Sequence, residues 1–154
     1  MDLILALDNI RSLQNVGAIF RTADGAGVSR LILGGLTATP PRHEIEKTAL
    51  GATETVPWEY AADLARRLRT LAAEGYTLYA LELTPVSVPV YTCQLKGPAV
   101  LVLGHEREGV QPDVLALCPT HLSLPMRGSS ARSLNVAVAA GIAAYEFGRQ
   151  LCYN

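Results

Sequence analysis

Short apolar runs and longer stretches with helical spacing take turns along the chain. Leu3 to Leu7, Arg30 to Leu33, Thr77 to Leu81, Ala99 to Leu103 and His121 to Leu124 are of strand length. The most apolar of them are nearly continuous, the pattern of strands covered on both faces. Between them, Val16 to Asp24, Ala61 to Glu74, Pro112 to Cys118 and Leu134 to Gln150 repeat apolar residues with helical spacing. In the second of these, Leu64, Leu68 and Leu71 fall at i, i+4 and i+7, with Arg66, Arg67 and Arg69 elsewhere around the wheel, which predicts an amphipathic cover helix. Pro40-Pro41 and the stretch from Pro85 to Pro89 read as loops. The alternation predicts an α/β fold with a mostly parallel sheet flanked by helices.

At 154 residues the chain has the size of one domain, able to bury roughly 70% of its unfolded surface. The expectation is therefore a single unit over residues 1–154. A net charge of −1 and 49% hydrophobic residues exclude a disordered tail and a protein that holds nucleic acid by bulk charge. Any RNA contact must use local basic patches. Cys93, Cys118 and Cys152 are odd in number and widely spaced, which argues against a disulfide framework or zinc site and fits a reducing cytoplasm. The apolar start, Met1 to Leu7, is too short for a membrane span and lacks the basic flank of a signal peptide.

Gly25 and Gly27 follow a helix instead of opening one, so they read as a C-cap and turn, not as a dinucleotide fingerprint. Neither a Walker phosphate loop nor a Gly-x-Ser-x-Gly elbow is present. The latter absence disfavours a hydrolase built on Ser129 or Ser130 with His121 and Glu106.

Three segments carry candidate chemistry. In Asn15-Val-Gly-Ala-Ile-Phe-Arg21, Asn15 stands where a helix N-cap belongs and Arg21 lies in the second helical turn. Leu103-Gly-His-Glu-Arg-Glu-Gly109 is a polar, glycine-bounded turn at a strand's carboxyl end, where α/β proteins bind ligands. In the third, Leu124-Pro-Met-Arg-Gly128 leads into Ser133-Leu-Asn135 and an alanine-rich helix. Ser133 reads there as a helix start offering free amides, and Met126 as an apolar wall. Each also has a plainer reading as cap, snorkelling arginine or solvent loop.

In this order and spacing the three segments resemble the SpoU/TrmH family of RNA ribose 2'-O-methyltransferases, within the knotted SPOUT superfamily. The resemblance covers nearly the whole chain. Two departures stand out: His105 replaces the usual asparagine, and four residues, Ser129 to Arg132, separate Gly128 from Ser133 where the family pattern has three.

The resemblance implies a deep trefoil knot in the C-terminal third, S-adenosylmethionine as cofactor, and a homodimer whose sites draw on both subunits. It implies catalytic roles for Arg21, Asn15, Glu106, Ser133 and Asn135, with Glu106 orienting Arg21. Cofactor contacts fall on Leu103, Gly104, His105, Glu106, Gly109, Leu124, Met126, Ser133 and Leu134. It further implies a minimal catalytic core, without the N-terminal RNA-binding domain that many relatives carry. Arg21, Arg42, Lys47, Arg127 and Arg132, with the Arg66-Arg67-Arg69 cluster, are candidate phosphate contacts. No metal is expected. Deprotonating an arginine of pKa about 12.5–13.8 at neutral pH costs roughly 7–9 kcal/mol. The better role for Arg21 is thus to grip the phosphate beside the target ribose and polarise its hydroxyl, with phosphate or water taking the proton. Base methylation and a binding module without turnover are the alternatives.

Overall fold

The computed structural model describes Met1 to Tyr153. Its strands are β1 (Leu3–Asp8), β2 (Arg30–Gly34), β3 (Trp58–Ala61), β4 (Thr77–Leu81), β5 (Val88–Pro89), β6 (Ala99–Gly104) and β7 (Thr120–Ser123). The helices are α1 (Leu13–Ala26), α2 (His43–Ala49), α3 (Ala52–Thr55), α4 (Leu64–Ala73), α5 (Pro112–Leu115) and α6 (Val136–Cys152). The strands form one sheet in the order β3-β2-β1-β6-β4-β7-β5, and every pairing is parallel.

The alternation of side chains along a strand explains why β1 is apolar throughout. Leu3, Leu5 and Leu7 join the core under α1 and α6, whereas Ile4 and Ala6 join the core under α4 and α5. Each fully buried leucine or isoleucine contributes roughly 1.5–3 kcal/mol. α2 and α3 pack on α1. A Cβ on Gly17 of α1 would collide with the Thr48 hydroxyl and the Ile45 carbonyl, so glycine sets how closely α1 and α2 approach.

Local chemistry fixes the helix ends. Ser12 caps α1 by accepting from the Asn15 N–H at 3.2 Å. Gly27 ends it in the left-handed region at φ 71°. Asp63 caps α4 through the Arg66 N–H at 3.0 Å.

Several predicted boundaries are corrected. The stretch assigned to one helix from Ala61 holds the end of β3, then Asp63, then α4. The residues 43–55, left without an element, form α2 and α3. Val88–Pro89, expected as loop, pairs with β7 at the sheet edge, a place where proline's missing N–H is tolerated. α5 stops at Leu115. After β7 the chain returns to lay α6 against α1 and β6.

Candidate active site

The parallel strands all end on one side, and the ends of β4, β6 and β7 open into a cleft of about 240 Å³. Its walls combine Leu81, Leu103, Leu122, Leu124, Leu134 and Val136 with Met126, and its polar groups include Glu82, Glu106 and Arg132. All nine residues predicted to contact a cofactor line this one cleft: Leu103, Gly104, His105, Glu106, Gly109, Leu124, Met126, Ser133 and Leu134.

One wall is the turn after β6, held by reciprocal bonds between His105 and Gly109, His105 N–H to Gly109 carbonyl at 3.2 Å and Gly109 N–H to His105 carbonyl at 2.8 Å. A Cβ on Gly104 would strike the backbone of Gly109 and Val110. Gly109, at φ 72°, has the Glu82 carboxylate where its Cβ would stand. Close backbone approach therefore requires glycine at 104, and the left-handed backbone favours it at 109. His105 Nδ1 accepts the N–H groups of Arg107 and Glu108, each at 3.1 Å. The imidazole thus does what an asparagine carbonyl does in an Asx-turn, which gives a physical reason for histidine to stand in this position.

From Glu106 at the lip of the cleft a directional chain of side chains runs to Asn15 and Asn135, which line a neighbouring groove, and so joins the three motif segments. Asn135 caps α6: its Oδ1 accepts from the N–H groups of Ala137 at 2.9 Å and Val138 at 3.2 Å. That leaves its Nδ2 to donate to Asn15 Oδ1 at 3.0 Å. Asn15 Nδ2 in turn donates to Glu106 Oε1 at 2.7 Å. The cap fixes the Asn135 amide, which fixes the Asn15 amide, which requires an acceptor at position 106.

These contacts change four expectations. Asn15 lies in the first turn of α1 and Ser12 is the cap. Ser133 precedes the helix, exposed at the cleft rim, and Asn135 is the cap. Arg21 sits in the third turn of α1, not the second, and Glu106 is bonded to Asn15, not to Arg21. Arg21 is exposed and lines a second groove of about 1000 Å³ between α1, α2 and α6, together with Lys47, Val138 and Tyr145.

The other basic candidates are dispersed. Arg132 lines the cleft, Arg127 is exposed in the loop before it, and Arg42 lines a third groove with Trp58 and Tyr60. Arg67 is already neutralised by Glu59, which accepts its Nη2 at 3.0 Å and Nε at 3.1 Å. The Arg66-Arg67-Arg69 cluster therefore offers two arginines for phosphate, not three.

The sequence does not single out Glu82, and it offers His121 only for the disfavoured hydrolase. Burial pushes the Glu82 carboxyl above its ordinary value, opposed by the Val110 N–H and by His121. His121 Nδ1 shares a hydrogen bond of 2.9 Å with Thr84 Oγ1. A carboxylate directly after a parallel strand is the available signal for Glu82. Deeper, Asp8 accepts the Gln111 N–H at 2.7 Å. Burial raises its pKa, the Gln111 bond lowers it and Asp113 raises it. Among the described residues no group of three or more His, Cys, Asp or Glu is placed to hold a metal, and no helix is long and apolar enough to cross a membrane.

Fold and cleft define a parallel α/β protein with an open cleft at the carboxyl ends of its strands. The chain belongs to the SpoU rRNA Methylase family, whose family model matches residues 2–145. It is 37% identical over 148 residues to the 23S rRNA (guanosine-2'-O-)-methyltransferase RlmB of Vibrio parahaemolyticus, covering 96% of this chain and 59% of that protein. The chain thus spans about three fifths of the length of such curated relatives. An AdoMet-bound rRNA methyltransferase from Sinorhizobium meliloti superposes with a TM-score of 0.90 at 33% identity, covering 97% of this chain and 57% of that one. A structure concerned with the 2-OH methylation of C/U34 on tRNA superposes with a TM-score of 0.85 at 31% identity, covering 99% and 97%.

Proposed function

We infer that this chain is the catalytic core of an S-adenosylmethionine-dependent methyltransferase acting on a ribose 2'-hydroxyl of tRNA or rRNA. The observation that carries the reading is the hydrogen-bonded chain Asn135–Asn15–Glu106, which joins all three motif segments, from Glu106 at the lip of the cleft to the α1–α6 groove that Asn15 and Asn135 line with Arg21. Family membership and the rRNA- and tRNA-directed relatives support it.

The cleft fits the cofactor chemically. Leucines and Met126 suit an adenine ring, and the carboxylates of Glu82 and Glu106 suit a ligand with cationic groups. When bound, S-adenosylmethionine supplies an electrophilic methyl on its sulfonium. Leu103, Gly104, His105 and Gly109 provide one wall, while Leu124, Met126, Ser133 and Leu134 provide the other. Asn15, itself held by Asn135, fixes Glu106 at the lip. Arg21 grips the phosphate beside the target ribose and polarises the hydroxyl, and its proton passes to phosphate or water.

Arg21 faces the α1–α6 groove and not the cleft of its own chain. This supports a homodimer in which the Arg21 of one subunit serves a site completed by the other. Val138 is 52% and Tyr145 60% exposed on that face, apolar surface that a second copy would cover. Arg42, Lys47, Arg127 and Arg132 are the remaining phosphate contacts of this reading. Three free cysteines fit a cytoplasmic setting.

The test is transfer of labelled methyl from S-adenosylmethionine into tRNA and rRNA lacking the modification, with Arg21→Ala and Arg21→Lys alongside. The reading predicts transfer by the wild type, loss in Arg21→Ala, and a large loss in Arg21→Lys because lysine lacks the bidentate fork. Near-full turnover by Arg21→Lys would overturn the positioning role.

A further inference from the structure

Beyond the cleft and the helix groove, the structure holds a third concavity, of about 530 Å³, at the β3 edge of the sheet. Pro40, Pro41, Arg42, Trp58 and Tyr60 line it. Trp58 and Tyr60 are alternate residues of β3 and so share one face of this edge strand. Trp58 is half-buried and anchored on the main core. Tyr60 is 51% exposed, yet its hydroxyl is committed to the Gly35 carbonyl at 2.8 Å. That bond fixes the ring and leaves its face as the part offered to a ligand.

The charge around these rings has one sign. Arg42 is the charged residue lining the groove. The acid of β3, Glu59, lies on the opposite face, where it is held by Arg67 at 3.0 Å and Arg30 at 3.6 Å. Fixed aromatic faces beside a cation are what unpaired nucleotides bind, because every base has a face to stack and every linkage a phosphate to neutralise.

Position ties this groove to the chemistry. The register places Ala61, Gly34, Asp8 and Gly104 in one row across the sheet, so the groove opens at the same strand ends as the cleft. β3 and β6 are three strand spacings apart, about 14 Å, within reach of one RNA strand. A ribose hydroxyl approached by an enzyme is most accessible in loops and single strands, whose neighbouring bases are free to splay out.

We propose that Trp58, Tyr60 and Arg42 form a subsite for an unpaired RNA nucleotide flanking the one that is methylated, with its base stacked on the rings and its phosphate met by Arg42. The proposal rests on the RNA-methylating reading above and adds a recognition site on the core itself.

Trp58 is the chain's single tryptophan, so its emission reports the groove directly. The experiment titrates the full chain with a single-stranded RNA oligonucleotide, following Trp58 emission and, separately, the anisotropy of an end-labelled copy. The expected result is quenching of Trp58 along the same isotherm as the anisotropy. Tyr60→Ala should weaken binding about 5- to 150-fold, the equivalent of roughly 1–3 kcal/mol for one base–aromatic stack. Tyr60→Phe should bind nearly as the wild type does. Arg42→Ala should lower the slope of log K against log salt by about 0.7. Thermal unfolding verifies that the variants fold, and wild-type quenching stands as a test even if one does not.

Anisotropic binding with silent Trp58 emission and an unaffected Tyr60→Ala variant would overturn the subsite while leaving the methylation reading intact. Absence of any oligonucleotide binding would overturn it too, and the methyl-transfer assay then judges the reading separately. Quenching by a proline-rich peptide with no response to RNA would assign the groove to a protein partner and refute the proposal.

Discussion

Replacing Asn135 by aspartate separates its two tasks. The cap on α6 uses Oδ1 as acceptor from Ala137 and Val138, which aspartate retains, with the helix dipole favouring its charge. The bond to Asn15 uses Nδ2 as donor, which aspartate lacks. Its second oxygen then faces Asn15 Oδ1. If Asn15 turns its amide over, its own oxygen faces Glu106 Oε1 across a contact now 2.7 Å long. Either way two acceptors meet without a proton. An unmade bond of this kind costs about 1–3 kcal/mol, and the partial exposure of the lip places it at the lower end. Expressed in the transition state, that is about a tenfold fall in kcat/KM. Asn135→Ala loses the cap as well, about 1 kcal/mol, or roughly 2–4 °C in Tm for a domain of this size. Thermal unfolding and labelled-methyl transfer, run on both variants, check this. An Asn135→Asp protein with unchanged transfer, or one destabilised as much as Asn135→Ala, would refute the relay.

Gly104→Ala should destabilise the fold by about 1–3 kcal/mol, because its Cβ meets fixed backbone at Gly109 and Val110; urea unfolding measures it. His105→Asn should leave the turn intact, whereas His105→Ala frees two N–H groups and should speed amide exchange at Arg107 and Glu108 and weaken S-adenosylmethionine binding in equilibrium dialysis. For Asp8 the sign follows from a folded-state pKa raised by burial: the folded protein holds the proton more tightly, so this group's contribution falls as pH rises from the ordinary carboxylate value through the folded one. Asp8→Asn should therefore gain in urea midpoint relative to wild type between pH 4 and pH 7, and equal differences at both pH values would contradict the assignment.

What the sequence revealed depended on how local the cause was. The burial of β1 and β6 is written in their apolar runs, and one wall of the cleft in the glycines of the turn after β6. β3 was missed because Trp58-Glu-Tyr-Ala61 abuts a strongly periodic helix and has only one partner strand. α2 and α3 are short and draw their stability from packing on α1, which spacing does not register. Asparagine is common at caps, which favours Asn15 in the sequence, but Ser12 is three residues earlier and takes that place. Its true partners, Glu106 and Asn135, lie 91 and 120 residues away. Glu82 escaped notice because only the folded chain sets it against Gly109.

The central claim is that the methyl goes to ribose oxygen and not to a base. The most direct measurement is alkaline digestion of RNA labelled by this protein from S-adenosylmethionine. A methylated 2'-oxygen cannot attack the adjacent phosphate, so the account predicts that label survives in an alkali-resistant dinucleotide and is released as a 2'-O-methyl nucleoside by complete nuclease digestion. Label recovered in a mononucleotide carrying a methylated base would contradict it.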